Sequence, residues 1–289
     1  MELAIISGKG GTGKSSISAA LATLTEKIVL ADCDVDAANQ YLLFNPTHEK
    51  EQSFTGGQIA VINPEACTNC GICVPYCRFD AISFSRHGVV INETACDGCQ
   101  LCRRICPHQA IDMINNNNSR LYTGSFRNGR MVYGRLAPGE ENSGKLVNLV
   151  RDEAKVQARQ HGLQTIIIDG PPGIGCPVIS SITGTHQLLI VTEPSLSALL
   201  DLQRAVEMSA NFHIQTFVII NKYDLEEELS QQIETWCRKA GIEMIGKVPF
   251  DPQVVQAMTN RKSITEWAPD SAAAQEIGKI WTTLKRMML

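Results

Sequence analysis

Two stretches of this 289-residue chain carry residue types and spacings that bind cofactors. Residues 8–15 read GKGGTGKS and fit G-x4-G-K-[ST], a pattern whose backbone N–H groups cradle nucleotide phosphates. Farther along, eight of the 11 cysteines lie between residues 67 and 106. Cysteines at this density, in a chain without a secretion signal, indicate metal ligation rather than disulfides. The sequence therefore predicts a nucleotide site and a metal site in one protein.

The phosphate loop has residues for binding both phosphate and magnesium. Lys14 is expected to reach the β- and γ-phosphates, and the Ser15 hydroxyl to ligate Mg²⁺. The loop lies between an apolar strand pattern at 2–6 and a helix pattern that begins at Lys14, which disfavours the alternative of a glycine turn that binds nothing. The predicted nucleotide contacts are Gly8, Gly10, Gly11, Thr12, Gly13, Lys14, Ser15 and Ser16.

Apolar segments of strand length alternate with helical patterns along most of the chain. QTIIIDGPPG, QLLIVTEP, TFVIINKYD and IEMIGKVPFDP all contain such segments, and helical patterns at 195–209 and 226–240 separate several of them. This alternation predicts an α/β fold in which a parallel sheet has helices on both faces and ligands gather at the carboxyl ends of the strands. For residues 119–146, which are glycine-rich, we expect a β-hairpin followed by a loop.

Residues 58–116 break this alternation and contain a tandem repeat. The cysteine run that begins at Cys67 and the run that begins at Cys96 have the same spacing. We predict that residues 58–116, here called the cysteine module, form a small α+β insertion. The nucleotide-binding domain would then consist of residues 1–57 and 117–289.

A second lysine, Lys9, gives the phosphate loop the form K-G-G-x-G-K-[ST]. This form resembles the deviant Walker A motif of the MinD, ParA and nitrogenase iron-protein superfamily. In that superfamily the early lysine crosses a dimer interface to the partner's nucleotide. The resemblance implies a Mg²⁺-dependent ATPase that acts as a homodimer, with Lys9, Lys14, Asp34 and Asp169 as its catalytic residues.

The resemblance continues in the segment ADCDVD, residues 31–36, which looks like switch I of the superfamily. Asp34 is carried over as the residue that positions or deprotonates the attacking water. Asp32 and Asp36 are further candidates, and capping of a helix N-terminus is the structural alternative for these two.

Other segments resemble switch II and the base site. IIIDGPPG, residues 166–173, looks like Walker B and switch II, which implies that Asp169 holds Mg²⁺ through water and that the Gly173 amide senses the γ-phosphate. INKYD and VPFDP resemble base-contacting segments, so Asn221 and Asp251 would frame adenine. N-K-x-D is also the guanine-reading signature of GTPases, in which the aspartate, here Asp224, contacts the base. GTP is therefore the alternative nucleotide, although the phosphate loop favours ATP.

Both cysteine runs have the spacing C-x2-C-x2-C-x3-C of the bacterial two-cluster ferredoxins, in which the fourth cysteine of each run ligates the other cluster. The resemblance implies two [4Fe–4S] clusters. The first cysteine set would be Cys67, Cys70, Cys73 and Cys106, and the second cysteine set Cys77, Cys96, Cys99 and Cys102. Zinc is the alternative, although structural zinc usually takes four ligands in paired C-x2-C knuckles. Arg78 departs from the pattern, which has a proline after the fourth cysteine.

The remaining cysteines are assigned less specifically. Cys176, which follows switch II, is either a thiolate at a switch-linked interface or a small buried residue, whereas Cys33 and Cys237 are expected in the core.

The C-terminal residues 277–289 place apolar side chains on one helical face, and we expect this helix to dock on the sheet. A membrane-seeking helix like that of MinD is the alternative. The apolar face consists of Ile277, Ile280, Trp281, Leu284 and Met288.

The net charge of −4 argues against a broad nucleic-acid surface, and no signal peptide or membrane-length apolar run is present, so we expect a cytoplasmic protein. Nearly the whole chain resembles MinD-superfamily ATPases that carry an inserted ferredoxin domain. Three functions remain: ATP-gated electron transfer to a partner metalloenzyme, insertion of a metal or iron–sulfur centre into a client metalloprotein, and a MinD/ParA-type positioning switch. The eight-cysteine module favours electron transfer.

Overall fold

The computed structural model describes residues 1–287 and is built around one large sheet with helices on both faces. The strands are β1 (Glu2–Ser7), β2 (Ile28–Asp32), β3 (Lys50–Phe54), β4 (Gly57–Ile62), β5 (Ile82–Ser85), β6 (Gly88–Ile91), β7 (Ile111–Asn116), β8 (Ser119–Phe126), β9 (Gly129–Arg135), β10 (Thr165–Pro172), β11 (Gln187–Thr192), β12 (Gln215–Asn221) and β13 (Glu243–Val248). The helices are α1 (Lys14–Thr23), α2 (Gln40–Phe44), α3 (Leu101–Ile105), α4 (Ser143–His161), α5 (Cys176–Ile182), α6 (Leu196–Ala210), α7 (Glu227–Ala240), α8 (Gln253–Thr259), α9 (Ile264–Trp267) and α10 (Ala272–Arg286).

The large sheet has nine strands in the order β13-β12-β11-β1-β10-β2-β9-β8-β3. Neighbouring strands are parallel from β13 to β9, whereas β8 runs antiparallel to both β9 and β3. The predicted α/β fold with a parallel sheet and the predicted hairpin are confirmed, and the hairpin makes one edge of the sheet antiparallel. The reason is that a short turn can join only antiparallel strands, and β9 of the hairpin also pairs with β2.

Apolar side chains on the two faces of the sheet form two separate cores. One core contains residues of α1, α2, α9 and α10, and the other contains residues of α4, α5, α6 and α7. Strands buried on both faces explain why β1, β2 and β11 read as nearly continuous apolar runs.

The C-terminal helix α10 docks on the sheet, as predicted. Ile277, Ile280, Trp281 and Leu284 are all buried in the first core, and Trp281 Nε1 donates to Thr25 Oγ1 at 2.6 Å. Met288, which was expected on the same face, lies outside the described residues. Across residues 1–287, no helix has the length and apolarity that a bilayer crossing needs.

Residues 57–116 form two small sheets that are separate from the nine-stranded sheet. Strands β4 and β7 pair antiparallel, as do β5 and β6, and α3 is the one α-helix between residues 57 and 116. This segment leaves the large sheet after β3 and returns to it at β8. The predicted boundaries of the cysteine module stay a prediction.

Candidate functional site

The phosphate loop connects the carboxyl end of β1 to α1, which begins at Lys14. Gly11 and Gly13 have φ angles of 84° and 87°, in the left-handed region that favours glycine. A Cβ atom on Gly13 would also collide with Nδ2 of Asn221, which donates a hydrogen bond to the Thr12 carbonyl at 2.8 Å. Asn221, predicted to frame adenine, therefore holds the phosphate loop in this structure.

Lys14 and Asp169 form a buried ion pair between the phosphate loop and β10. The Lys14 Nζ lies 2.7 Å from Asp169 Oδ1 and 3.7 Å from Asp34 Oδ2. Asp169 is fully buried, and it also accepts hydrogen bonds from Ser18 Oγ at 2.8 Å and Gln40 Nε2 at 2.7 Å. Burial alone would lower the pKa of Lys14, but the nearby carboxylates outweigh it and raise that pKa above its usual value. Lys14 is therefore charged at neutral pH, as phosphate binding requires.

Asp32 lies at the end of β2, in register with Asp169 on the neighbouring strand β10. Its buried carboxylate accepts hydrogen bonds from the backbone N–H groups of Asp34, Asn39 and Gln40 at 3.2, 3.2 and 3.1 Å. Two of these bonds come from Asn39 and Gln40 at the start of α2. Asp32 therefore resembles a helix-capping residue, which was the structural alternative to a catalytic role. Burial, and then the negative charge of Asp169, raise the pKa of Asp32 to about 8.

Asp34, in the segment predicted to be switch I, pairs with Lys14, while Asp36 is exposed. Burial also raises the pKa of Asp34 above its usual range. Asp34 and Asp169 thus place two carboxylates beside a single ammonium group, whereas the raised pKa of Asp32 favours its neutral form at pH 7. Carboxylate oxygens are preferred ligands of divalent cations, so this pair of side chains fits such an ion.

Three residues that were considered as nucleotide contacts, Gly173, Asp224 and Asp251, form hydrogen bonds with protein groups in this structure. The Gly173 N–H donates to the carbonyl at the end of β1 at 2.8 Å, so it must leave that bond to sense a phosphate. Asp251 Oδ1 accepts the N–H of Gln253 at 2.8 Å, beside the start of α8. Asp224 Oδ1, the guanine-reading alternative, accepts the N–H of Phe250 at 2.6 Å. The roles of these residues toward a nucleotide stay predictions.

Lys9 is held within its own chain by residues that follow β11. Its Nζ lies 2.8 Å from Glu193 Oε1 and donates to the hydroxyls of Ser195 at 3.0 Å and Ser197 at 3.1 Å. Glu193 Oε2 also pairs with Lys222 at 3.1 Å. Burial opposes ionisation of Glu193, but hydrogen bonds from the two lysines lower its pKa below the usual value. Glu193 was not predicted as a site residue. The sequence feature that could have indicated it is its position directly after the buried strand β11, where ligands of such sheets bind.

The eight clustered cysteines line two separate cavities. All four residues of the first cysteine set line one cavity, and all four residues of the second cysteine set line the other. Backbone N–H groups point at two of the sulfurs, from Ala110 to Cys106 at 3.3 Å and from Ala60 to Cys96 at 3.4 Å. Among residues 1–287, no three His, Cys, Asp or Glu side chains are placed to hold one metal ion together. What the structure shows is that each set of four thiols lies around its own cavity.

The cysteines outside the module differ in exposure. Cys33 and Cys237 are buried, which confirms their predicted place in the core. Cys176 is exposed, so its interpretation as a small buried residue is wrong. The reason is its position in the first turn of α5, directly after the glycine-containing segment 173–175.

A family model described as the CobQ/CobB/MinD/ParA nucleotide binding domain matches residues 3–264. The chain belongs to this family of nucleotide-binding proteins, which confirms the predicted superfamily. An uncharacterized protein of Methanocaldococcus jannaschii is 34% identical to it over 291 residues, covering 100% of this chain and 98% of that protein. An uncharacterized ATP-binding protein of the same organism is 25% identical, covering 96% of this chain and 85% of that protein.

Solved structures share the fold. The septum site-determining protein MinD of Pyrococcus horikoshii, complexed with Mg-ADP, has a TM-score of 0.58 at 17% identity, and the match covers 99% of this chain and 96% of that one. A ParA family ATPase from Chlorobium tepidum has a TM-score of 0.58 at 17% identity, covering 97% of this chain and 98% of that one. At this level of identity the likeness is one of fold.

Proposed function

We propose that this protein binds and hydrolyses ATP with Mg²⁺ and that its nucleotide state controls two [4Fe–4S] clusters for electron transfer to a partner metalloenzyme. The observation that carries the proposal is the sorting of eight cysteines into two cavities, in a chain that belongs to a nucleotide-binding family. When bound, such clusters supply one-electron transfer.

The nucleotide half of the proposal is supported by the chemistry around the phosphate loop. Lys14 is charged, and the carboxylates of Asp34 and Asp169 favour a divalent cation that the Ser15 hydroxyl would also ligate. The Thr12 hydroxyl is buried without a hydrogen-bond partner within residues 1–287, a costly arrangement that a bound ligand would relieve. A relative named as ATP-binding favours ATP over GTP.

The metal half of the proposal is supported by the shape of the cysteine sites. A zinc ion needs its four ligands within about 2.3 Å of one point, whereas a cubane spreads its ligands around a larger body. Thiols that line a cavity, with N–H groups directed at sulfur, fit the second requirement better. The first cysteine set would hold one cluster and the second cysteine set the other.

Delivery of a cluster to a client metalloprotein is the second candidate, because Cys70 and Cys99 are exposed while the other six module cysteines are partly covered. Incubation of the ⁵⁷Fe-loaded protein with ATP and a cluster-free acceptor ferredoxin separates the two functions. Retention of the label supports electron transfer. Transfer of the label to the acceptor supports delivery.

Iron and acid-labile sulfide analysis of protein purified without oxygen tests whether clusters are present at all. We expect about eight irons and about eight sulfides per chain, since each cubane contains four of each. Zinc without sulfide would overturn the metal half of the proposal. A chain that holds neither zinc nor iron and sulfide, with Mg²⁺-dependent ATP hydrolysis retained, would favour a MinD/ParA-type positioning switch.

Lys9→Ala is expected to leave ATP binding intact and to lower hydrolysis by about a hundredfold or more, the usual effect of removing one group that stabilises the transition state. The proposed active form is a homodimer in which Lys9 leaves Glu193 and reaches the partner's nucleotide. Hydrolysis per chain should therefore rise with protein concentration in the wild type. Measurement of ADP release across a dilution series checks both effects.

Lys239→Ala is the matched control, because Lys239 is an exposed lysine on α7. This variant should hydrolyse ATP like the wild type. Normal hydrolysis by Lys9→Ala would contradict the dimer mechanism.

A further inference from the structure

Helix α4 is fixed to α5, the helix that follows the predicted switch II. The guanidinium of Arg151 on α4 donates to the carbonyls of Ser180 at 2.8 Å and Thr183 at 2.7 Å, and it also pairs with Glu2 at 2.7 Å. Arg151 is only 5% exposed, so these bonds lie in the protein interior. A Cβ atom on Gly144, at the start of α4, would lie 3.2 Å from Ser180 Oγ, which shows how closely the two helices approach. Because α4 and α5 are packed together, a displacement of α5 has to move α4 or break these contacts.

The segment 136–142, here called the linker loop, joins β9 to α4 and is tied to the ends of the cysteine module. Glu140 is 8% exposed, and its carboxylate accepts hydrogen bonds from the Asn118 N–H at 2.8 Å and from the Ser119 hydroxyl. The side-chain amide of Asn142 donates to the carbonyl of Gly56. The linker loop therefore contacts the chain both where it enters the module and where it leaves.

The linker loop also contacts the segment that carries Cys96, one of the second cysteine set. Gly139 has a φ of 78°, and a Cβ atom there would collide with the carbonyl of Thr94, two residues before Cys96. A cleft beside this contact is lined by Gly139, Glu140 and Glu141 on one side and by residues 96–98 on the other. The cavities of both cysteine sets are lined by residues between 60 and 111 only, but the cleft that the linker loop lines contains Cys96 of the second set and no cysteine of the first set.

We propose that α4 and the linker loop transmit the state of switch II to the second cysteine set and leave the first cysteine set largely unaffected. This inference rests on the proposed function, because it takes nucleotide-driven motion of switch II as the input. The physical requirement is an element with two arrangements that both sites bias, and α5 with its attached helix α4 is that element. The two cysteine sites would then have different tasks, one responsive to nucleotide and one constant.

Hydrogen exchange of the full-length, anaerobically purified protein tests this asymmetry. Exchange is compared between Mg-ADP and Mg²⁺ with a non-hydrolysable ATP analogue, in peptides that cover residues 94–101 and residues 67–76. We expect the rates in 94–101 to differ by roughly fivefold or more between the two states, and those in 67–76 to stay nearly equal. Equal responses of the two peptides, or no response in 94–101, would overturn the inference.

Gly139→Ala tests the route, because the added methyl group pushes the linker loop away from Thr94. We expect this variant to bind nucleotide normally. Its exchange rates in residues 94–101 should no longer differ between the two nucleotide states. Gly162→Ala is the matched control, since Gly162 has a similar φ of 64° at the other end of α4 and open space around a Cβ atom. Asn142→Ala weakens the same linker without a collision and should reduce the difference.

A Gly139→Ala response equal to that of Gly162→Ala would contradict the route. Failure of the proposed function is recognised separately, by iron and sulfide content and by nucleotide affinity, because hydrogen exchange reports on backbone amides whether or not a cluster is present.

Discussion

Lys14→Ala is expected to lower the affinity for ATP by about a hundredfold or more, equivalent to roughly 3 kcal/mol. The ammonium group of Lys14 lies inside the phosphate loop and is kept charged by Asp169 and Asp34, so its removal takes away the main positive charge available to the β- and γ-phosphates. Isothermal titration with ATP and Mg²⁺ measures the loss. Unchanged affinity would contradict the assignment of the nucleotide site.

The same substitution also leaves the carboxylate of Asp169 buried without its ion-pair partner, which is expected to destabilise the nucleotide-free protein by roughly 3–5 kcal/mol. The double variant Lys14→Ala/Asp169→Asn separates the two effects. It removes the unpaired charge and should recover part of the stability, as measured by denaturant unfolding, without recovering ATP affinity. Lys239→Ala is the control for a lysine outside the site.

Replacing two cysteines that line the same cavity should remove one cluster, whereas replacing one cysteine from each cavity should disturb both clusters. Cys67→Ala/Cys106→Ala takes both from the first cysteine set, and about half of the iron should remain, with one cluster signal unchanged in electron paramagnetic resonance. Cys67→Ala/Cys77→Ala takes one cysteine from each set, and neither cluster signal should keep its wild-type form. The two variants carry the same number and kind of substitutions, so they control for each other.

If each run of four cysteines held its own cluster, the results would be reversed. Cys67→Ala/Cys77→Ala would then keep one cluster signal, and Cys67→Ala/Cys106→Ala would disturb both. Cys176→Ala, an exposed cysteine outside the module, should retain both signals. Loss of both signals in the Cys67→Ala/Cys106→Ala variant, with the module still folded by circular dichroism, would contradict the two independent cysteine sets.

The features that could be predicted from sequence depend on short-range patterns. The phosphate loop was found because its glycines, Lys14 and Ser15 all lie within residues 8–15, so that one local pattern contains the whole phosphate site. The central strands β1, β2 and β11 were found because burial on both faces makes them apolar almost throughout. The sorting of the cysteines was expected from their resemblance to two-cluster ferredoxins, and the structure groups them in the same two sets.

The features that were missed depend on contacts between distant parts of the chain. Lys9 and Ser195 are 186 residues apart, so no local pattern shows that Lys9 is held by the segment after β11. Strand β9 of the hairpin belongs to the large sheet because it pairs with β2. The sequence of a single strand does not show which other strand it pairs with. The sequence left Asp32 between a catalytic and a helix-capping role, and the backbone N–H groups that donate to its side chain favour the second.

The midpoint potentials of the metal centres in two nucleotide states test the central claim most directly. The measurement uses full-length, anaerobically purified protein with Mg-ADP and then with Mg²⁺ and a non-hydrolysable ATP analogue. We expect the potential of one centre to shift by at least about 40 mV, which for a one-electron couple corresponds to a fivefold coupling between the sites. Potentials that are identical in the two states, with nucleotide binding verified in the same samples, would contradict it.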